Sequence, residues 1–186
     1  MKKKIPAFIL LTMCCSSLLL MATNLYFKKA KVDFDGYENL IAEVKNHRKG
    51  RLINVEEFIR MSKEKNVIIL DTRSDSMFRS KHIKGAVHLN FFDFTQSNLA
   101  IIIPDKLTTI LIYCNNNFEG DEIYFATKSV QPKPFEKNKR YLTLALNIPT
   151  YINLYGYEYM NVYELSELVN VFDRRVEYEG LAVRKL

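Results

Sequence analysis

The sequence predicts an α/β domain built on a mainly parallel sheet. Short runs such as Val67-Ile68-Ile69-Leu70 and Ile110-Leu111-Ile112-Tyr113 are rich in β-branched and aromatic residues, and read as buried strands. Stretches with helical spacing of apolar residues lie between such runs. Apolar residues make up 48% of the chain, enough for a full core.

The first 27 residues stand apart. Lys2-Lys3-Lys4 is followed by no charged residue until Lys28, the layout of a secretory signal and also long enough to cross a bilayer as a helix. Residues 1–27 are therefore read as a signal peptide or membrane anchor through residues 5–27. The domain is expected outside the cytoplasm, in the periplasm or cell envelope, secreted or membrane-anchored. Cys14 and Cys15 lie in this segment, but Met13 is not the small residue that lipidation favours. Removal of the segment would leave Cys114 as the sole cysteine.

Residues 28–50 read as a charged linker and an amphipathic helix, with Tyr37, Leu40, Ile41 and Val44 on one face and Gly50 as its stop. The domain proper is expected over 51–172. Leu52-Ile53 opens it as a short strand. Asn54 then caps a helix, with Glu57 in the capping-box position and Phe58, Ile59 and Met61 as apolar residues. Asn66 to Leu70 is a strand that ends at Asp71. Ala86 to Leu89 is another, while Phe91 to Pro104 has no decisive period.

Thr109 to Tyr113 is the next strand, and Gly120 to Val130 is expected to be the helix that follows. An insertion near 131–140 holds two prolines and many charges, and reads as an exposed loop. Tyr141 to Tyr155 is expected to be partly helical with a break near Pro149. Asn161 to Leu165 is the final strand, and 173–186 a C-terminal tail. The tyrosines at 151, 155, 157 and 159 read as packing.

Charge excludes one broad class. Of 27 basic residues, three are the N-terminal lysines, and the rest are well mixed with 21 acids, so nucleic acid is not an expected partner. The three histidines, His47, His82 and His88, are scattered and the cysteines are not clustered, so no metal site and no cofactor are expected. His47 is expected to be solvated in a basic helix end.

Cys114 closes an apolar strand and precedes three asparagines. It reads either as a small core residue or as a nucleophile at the mouth of a sheet, where ligands of open α/β sheets bind. A following loop that turns into a helix start offers free N–H groups and a positive dipole end, which favour a thiolate. Asparagines tolerate left-handed backbone and so can shape the turn, and their amides donate hydrogen bonds without adding charge.

Asp71-Thr72-Arg73, then Phe78-Arg79-Ser80-Lys81-His82-Ile83-Lys84-Gly85-Ala86-Val87-His88-Leu89-Asn90, resembles the signature of rhodanese-like domains. Ile110 to Cys114 is similar to the strand that delivers their active cysteine, and Asn161 to Leu165 to their last strand. The resemblance covers roughly Leu52 to Leu168. It implies a rhodanese-like central parallel β-sheet flanked by α-helices. It also implies that Cys114 takes sulfane sulfur from a small donor as a persulfide and passes it to a thiol acceptor. Asn115, Asn116, Asn117, Phe118 and Glu119 then form the substrate-binding loop, with Asp71, Arg73 and His82 as structural neighbours.

The loop departs from the family pattern, which usually carries glycine and basic residues. Here Glu119 occupies the usual arginine position, and is expected to raise the thiol pKa and repel thiosulfate. Met77 stands where many members have glutamate, and Lys81 where they have glycine. The Gly-Gly and tryptophan that often follow the last strand are replaced, with Glu167-Leu168 in that place.

Two functions stay open: a sulfurtransferase working through Cys114, and a catalytically weak or inactive binding module. A phosphatase of related fold would need C-x5-R to clamp phosphate. Gly120 stands at the arginine position, which excludes it.

Overall fold

The computed structural model describes residues 28–130, 142–143 and 145–183. The expected signal or anchor over 1–27 and the insertion over 131–140 lie outside the described residues. The chain divides into units 1–35 and 36–186, and the second holds the sheet.

Helix α1 spans Phe34–Arg48 and buries Val44. Strand β1 (Leu52–Ile53) leads to α2 (Val55–Met61), whose N-terminus is capped as expected by the Asn54 side chain accepting from the Glu57 N–H. Then come β2 (Val67–Asp71), α3 (Asp75–Ser80), β3 (His82–Ile83) and β4 (Val87–His88). The undecided stretch resolves into a 3-10 turn, Phe91–Asp93, and α4 (Gln96–Ile102) capped by Thr95. Strand β5 (Thr109–Tyr113) runs to the cysteine. Beyond it lie β6 (Phe118–Glu119), β7 (Ser129–Val130), β8 (Leu142–Thr143) and α5 (Asn147–Gly156). Strands β9 (Val162–Leu165), β10 (Val169–Asn170) and β11 (Tyr178–Glu179) follow.

The main sheet has the order β1-β9-β5-β2-β4 with every pairing parallel. Ile69, Leu70, Val87, Leu111, Ile112 and Val162 all lie in it, as the strand pattern predicts. Alternation along β5 divides the core between two faces. Ile110 and Ile112 pack with Leu99, Tyr151 and Leu154 on the side of α4 and α5. Leu111 and Tyr113 pack with Val55, Phe58 and Phe118 on the side of α2. A sheet covered on both faces needs continuous apolar strands, and that is how β2 and β5 read.

Two expectations fail. Gly120 to Val130 forms turns and the short β7 rather than a helix. Gly120 itself has φ +89, and Asp121 binds Lys81 at 2.9 Å, so the segment is held by side-chain contacts instead of a helical ladder. Among the described residues, the next α-helix after the cysteine is α5, far later in the chain. Nor does Pro149 break α5: it is the third residue of the helix, where its missing N–H would have no intrahelical partner.

The C-terminal tail is also more ordered than a tail. Strand β11 pairs antiparallel with β3, and the Leu181 and Ala182 N–H groups donate to Arg79 and Ser80 carbonyls at 2.9 Å each. Gly180 permits this approach. Its φ is +127, and a Cβ there would lie 2.3 Å from the Ser80 carbonyl oxygen. Gly180→Ala is expected to cost roughly 1–3 kcal/mol in urea unfolding. An unchanged midpoint would mean that this docking adds nothing to stability.

Candidate active site

Strand β5 is the middle strand of five, and its carboxyl end delivers Cys114. The residue is buried, at 2% exposure, and lines a cleft of about 310 Å³. Cys114 caps a 3-10 turn formed by Asn115–Asn117, with the Asn116 N–H donating to Sγ at 3.4 Å. The Leu146 and Asn147 backbone, at the start of α5, also acts on this sulfur in the direction that favours the thiolate. Backbone from two separate elements therefore favours the charged form of one atom. Burial nonetheless dominates and pushes the thiol pKa up, with the Glu164 carboxylate adding a smaller push in the same direction.

The asparagines hold the loop, though not through left-handed backbone. None of the three has positive φ. Asn117 accepts the Cys114 N–H at 2.9 Å and donates to the Leu165 carbonyl at 2.6 Å, tying the loop to β9. Asn115 accepts from Arg73 Nη1 at 3.1 Å, and Asn116 from the Lys128 N–H at 3.0 Å. The amides serve as satisfied crosslinks that keep the turn in register.

Asp71 and Arg73 take the structural place expected of them. Both are buried, and Arg73 Nη2 meets Asp71 at 2.7 Å. Its other donor edges bind Asn115, the Tyr124 carbonyl and the Lys81 carbonyl, so the fork is fully used. Tyr113 donates to Asp71 in a short hydrogen bond and accepts the Ile83 N–H at 3.1 Å. His82 does not line the cleft; it binds the Phe78 carbonyl at 2.7 Å and stacks on the Phe78 ring.

Phe118 is buried in the core against Phe125, and Glu119 is exposed on β6, where it pairs in register with Asn170. Neither lines the cleft, nor does Asn117. The electrostatic role expected of Glu119 falls to Glu164, because β6 turns away from the sulfur. Glu119→Arg is therefore expected to leave the rate of Cys114 with thiosulfate unchanged within about twofold, since an exposed charge is screened. A large rise in rate would restore Glu119 to the site.

Several neighbours were not legible as site residues. Glu164 is buried and bidentate to Arg48 of α1, at 2.5 and 2.7 Å. Asn147 links it to the cysteine loop, donating to Glu164 at 3.3 Å and to Asn117 at 3.0 Å. A carboxylate inside the apolar strand Val162–Leu165 is a signal that a buried cation must face it. The cleft walls include Met77, Phe91, Phe92 and Leu146, with Lys128 on the rim. His47 is half-buried rather than fully solvated: it meets the Tyr151 hydroxyl at 2.9 Å and the Tyr155 ring edge-on, and burial lowers its pKa. Among the described residues no cluster of potential metal ligands occurs, and no helix is long and apolar enough to cross a membrane.

A parallel sheet whose middle strand delivers one cysteine to a cleft defines an α/β domain of the single-cysteine type. The model of the rhodanese-like domain family matches residues 54–158, and the chain belongs to that family. No curated protein matches the chain. Among solved structures it is similar to the crystal structure of the BH2092 protein from Bacillus halodurans. The identity is 13%, over 80% of this chain and 88% of that one, with a TM-score of 0.45.

Proposed function

We propose that the chain is a sulfurtransferase in which Cys114 carries sulfane sulfur between a small donor and a thiol acceptor. The supporting observation is the place of Cys114, which follows the middle strand of the sheet and lines the cleft, with the Asn116 N–H donating to Sγ at 3.4 Å and the Leu146 and Asn147 backbone at the start of α5 also favouring the thiolate. Such groups stabilise a thiolate, and then the anionic persulfide that replaces it. The Cys114 thiolate attacks the outer sulfur of the donor, the donor's sulfur bond breaks, and the leaving group departs with the electron pair. An acceptor thiolate attacks the terminal sulfur of the persulfide and returns Cys114 as a thiolate. No metal or cofactor enters these steps.

Export belongs to the same proposal and rests on the uncharged run after the three N-terminal lysines. A reporter that works only in the cytoplasm, fused after Leu186, should be silent. The transfer itself is tested by following sulfur from donor to a small thiol with wild type and with Cys114→Ser. Turnover should require Cys114, and equal rates would reject the assignment.

A second reading, a rhodanese-like binding module with a weakly active cysteine, is favoured by the burial of Cys114 and the upward push on its thiol. Its signature is an intact cleft without turnover.

A further inference from the structure

The cleft above Cys114 has a chemical character that narrows its donor. Its walls carry the apolar side chains of Met77, Phe91, Phe92 and Leu146, and its volume of about 310 Å³ far exceeds what a small inorganic anion fills. The buried cation beside it, Arg73, has its fork occupied by Asp71, Asn115 and two backbone carbonyls. It is not available to clamp a dianion at the sulfur. Among the described residues, Lys128 is the one cationic side chain besides Arg73 that lines the cleft, and it is exposed. A doubly charged donor entering here would lose its hydration against apolar walls, and the polar lining side chains Thr72, Ser74 and Asn90 are already engaged by Thr150, Ser76 and Asp75. An apolar body would instead gain from burial against the same surfaces.

We infer that the donor taken by this cleft is an organic hydropersulfide with an apolar, ring-sized body rather than the thiosulfate dianion. This inference rests on the sulfurtransferase reading for the sulfur chemistry, and on the cleft alone for the shape of the donor. In the step, the Cys114 thiolate attacks the terminal sulfur of R–S–SH, the S–S bond of the donor breaks, and R–S⁻ leaves with the electron pair. The protein then holds Cys114–S–SH, with atoms and charge conserved. The body R lies along Phe91, Phe92 and Met77 while its sulfur reaches Cys114 beside the Asn116 N–H.

The test compares loading of Cys114, by intact mass, from benzyl hydropersulfide, inorganic polysulfide and thiosulfate. Each rate is divided by that of a free small thiol under the same conditions. Benzyl hydropersulfide should load Cys114 at least about tenfold faster than thiosulfate, the gain that burying a ring brings. Phe92 is 95% exposed, so Phe92→Ser should fold normally. That variant should slow the benzyl donor severalfold more than it slows polysulfide. Equal normalised rates for benzyl and thiosulfate donors, or equal slowing of every donor in Phe92→Ser, would overturn the inference. Benzyl and methyl methanethiosulfonate provide a readout that needs no sulfane transfer. If no donor loads Cys114 yet the benzyl reagent still labels it preferentially, the sulfurtransferase reading fails and the apolar cleft stands. If neither reagent is preferred, the cleft inference fails whatever the donors do.

Discussion

Arg73→Met is expected to destabilise the domain by about 3–5 kcal/mol, because it leaves the Asp71 carboxylate buried without its partner. Asp71 is 0% and Arg73 3% exposed, so water cannot take the place of the guanidinium. The loss should appear in urea unfolding as a lower midpoint with little change in slope. Against a typical total of roughly 5–15 kcal/mol, it is large enough to leave the domain partly unfolded. Arg73→Lys should fall between, since an ammonium keeps the charge but cannot reach Asp71, Asn115 and two carbonyls at once. Asp71→Asn combined with Arg73→Met should recover part of the loss, because no unpaired charge is then buried. A single variant as stable as wild type would contradict the role given to this pair.

Alkylation of Cys114 by iodoacetamide should climb about tenfold per pH unit above neutrality, with no plateau until beyond the ordinary thiol value of about 8.5. The sign follows from the balance at the sulfur. Burial favours the neutral thiol, Glu164 adds to that, and the Asn116, Leu146 and Asn147 backbone opposes both without reversing the result. The thiolate is therefore a minor species at neutral pH, and the rate follows its fraction. Glu164→Gln should move the profile to lower pH by removing a negative charge, and the bidentate Arg48 partner makes Arg48→Met the opposite change. A plateau below about pH 8 in the wild type would mean that this backbone outweighs burial.

These two results draw on parts of the chain that differ in how far the sequence disclosed them. The strands were readable because β2 and β5 are apolar on both faces, which no exposed segment would be. The Asn54 cap was readable because its hydrogen bond is local. The placement of Cys114 followed from strand direction. By contrast, α5 was misread at Pro149 because a proline in a first helical turn looks, in sequence, like one that breaks a helix. Glu119 was assigned to the site by counting from Cys114, whereas β6 pairs with β10 and carries the side chain outward. Asn147 and Arg48 were invisible as site residues because their contacts to Asn117 and Glu164 span distant parts of the chain. The α1 helix that supplies Arg48 lies before the segment the family match covers.

The central claim is that Cys114 holds sulfane sulfur, and intact mass of the purified domain after donor treatment tests it most directly. Wild type should gain the mass of one sulfur atom, lose it again on addition of a small thiol, and show no gain in Cys114→Ser. Donor treatment that leaves the wild-type mass unchanged with every donor, while iodoacetamide still labels Cys114, would contradict the claim and leave the domain as a binding module.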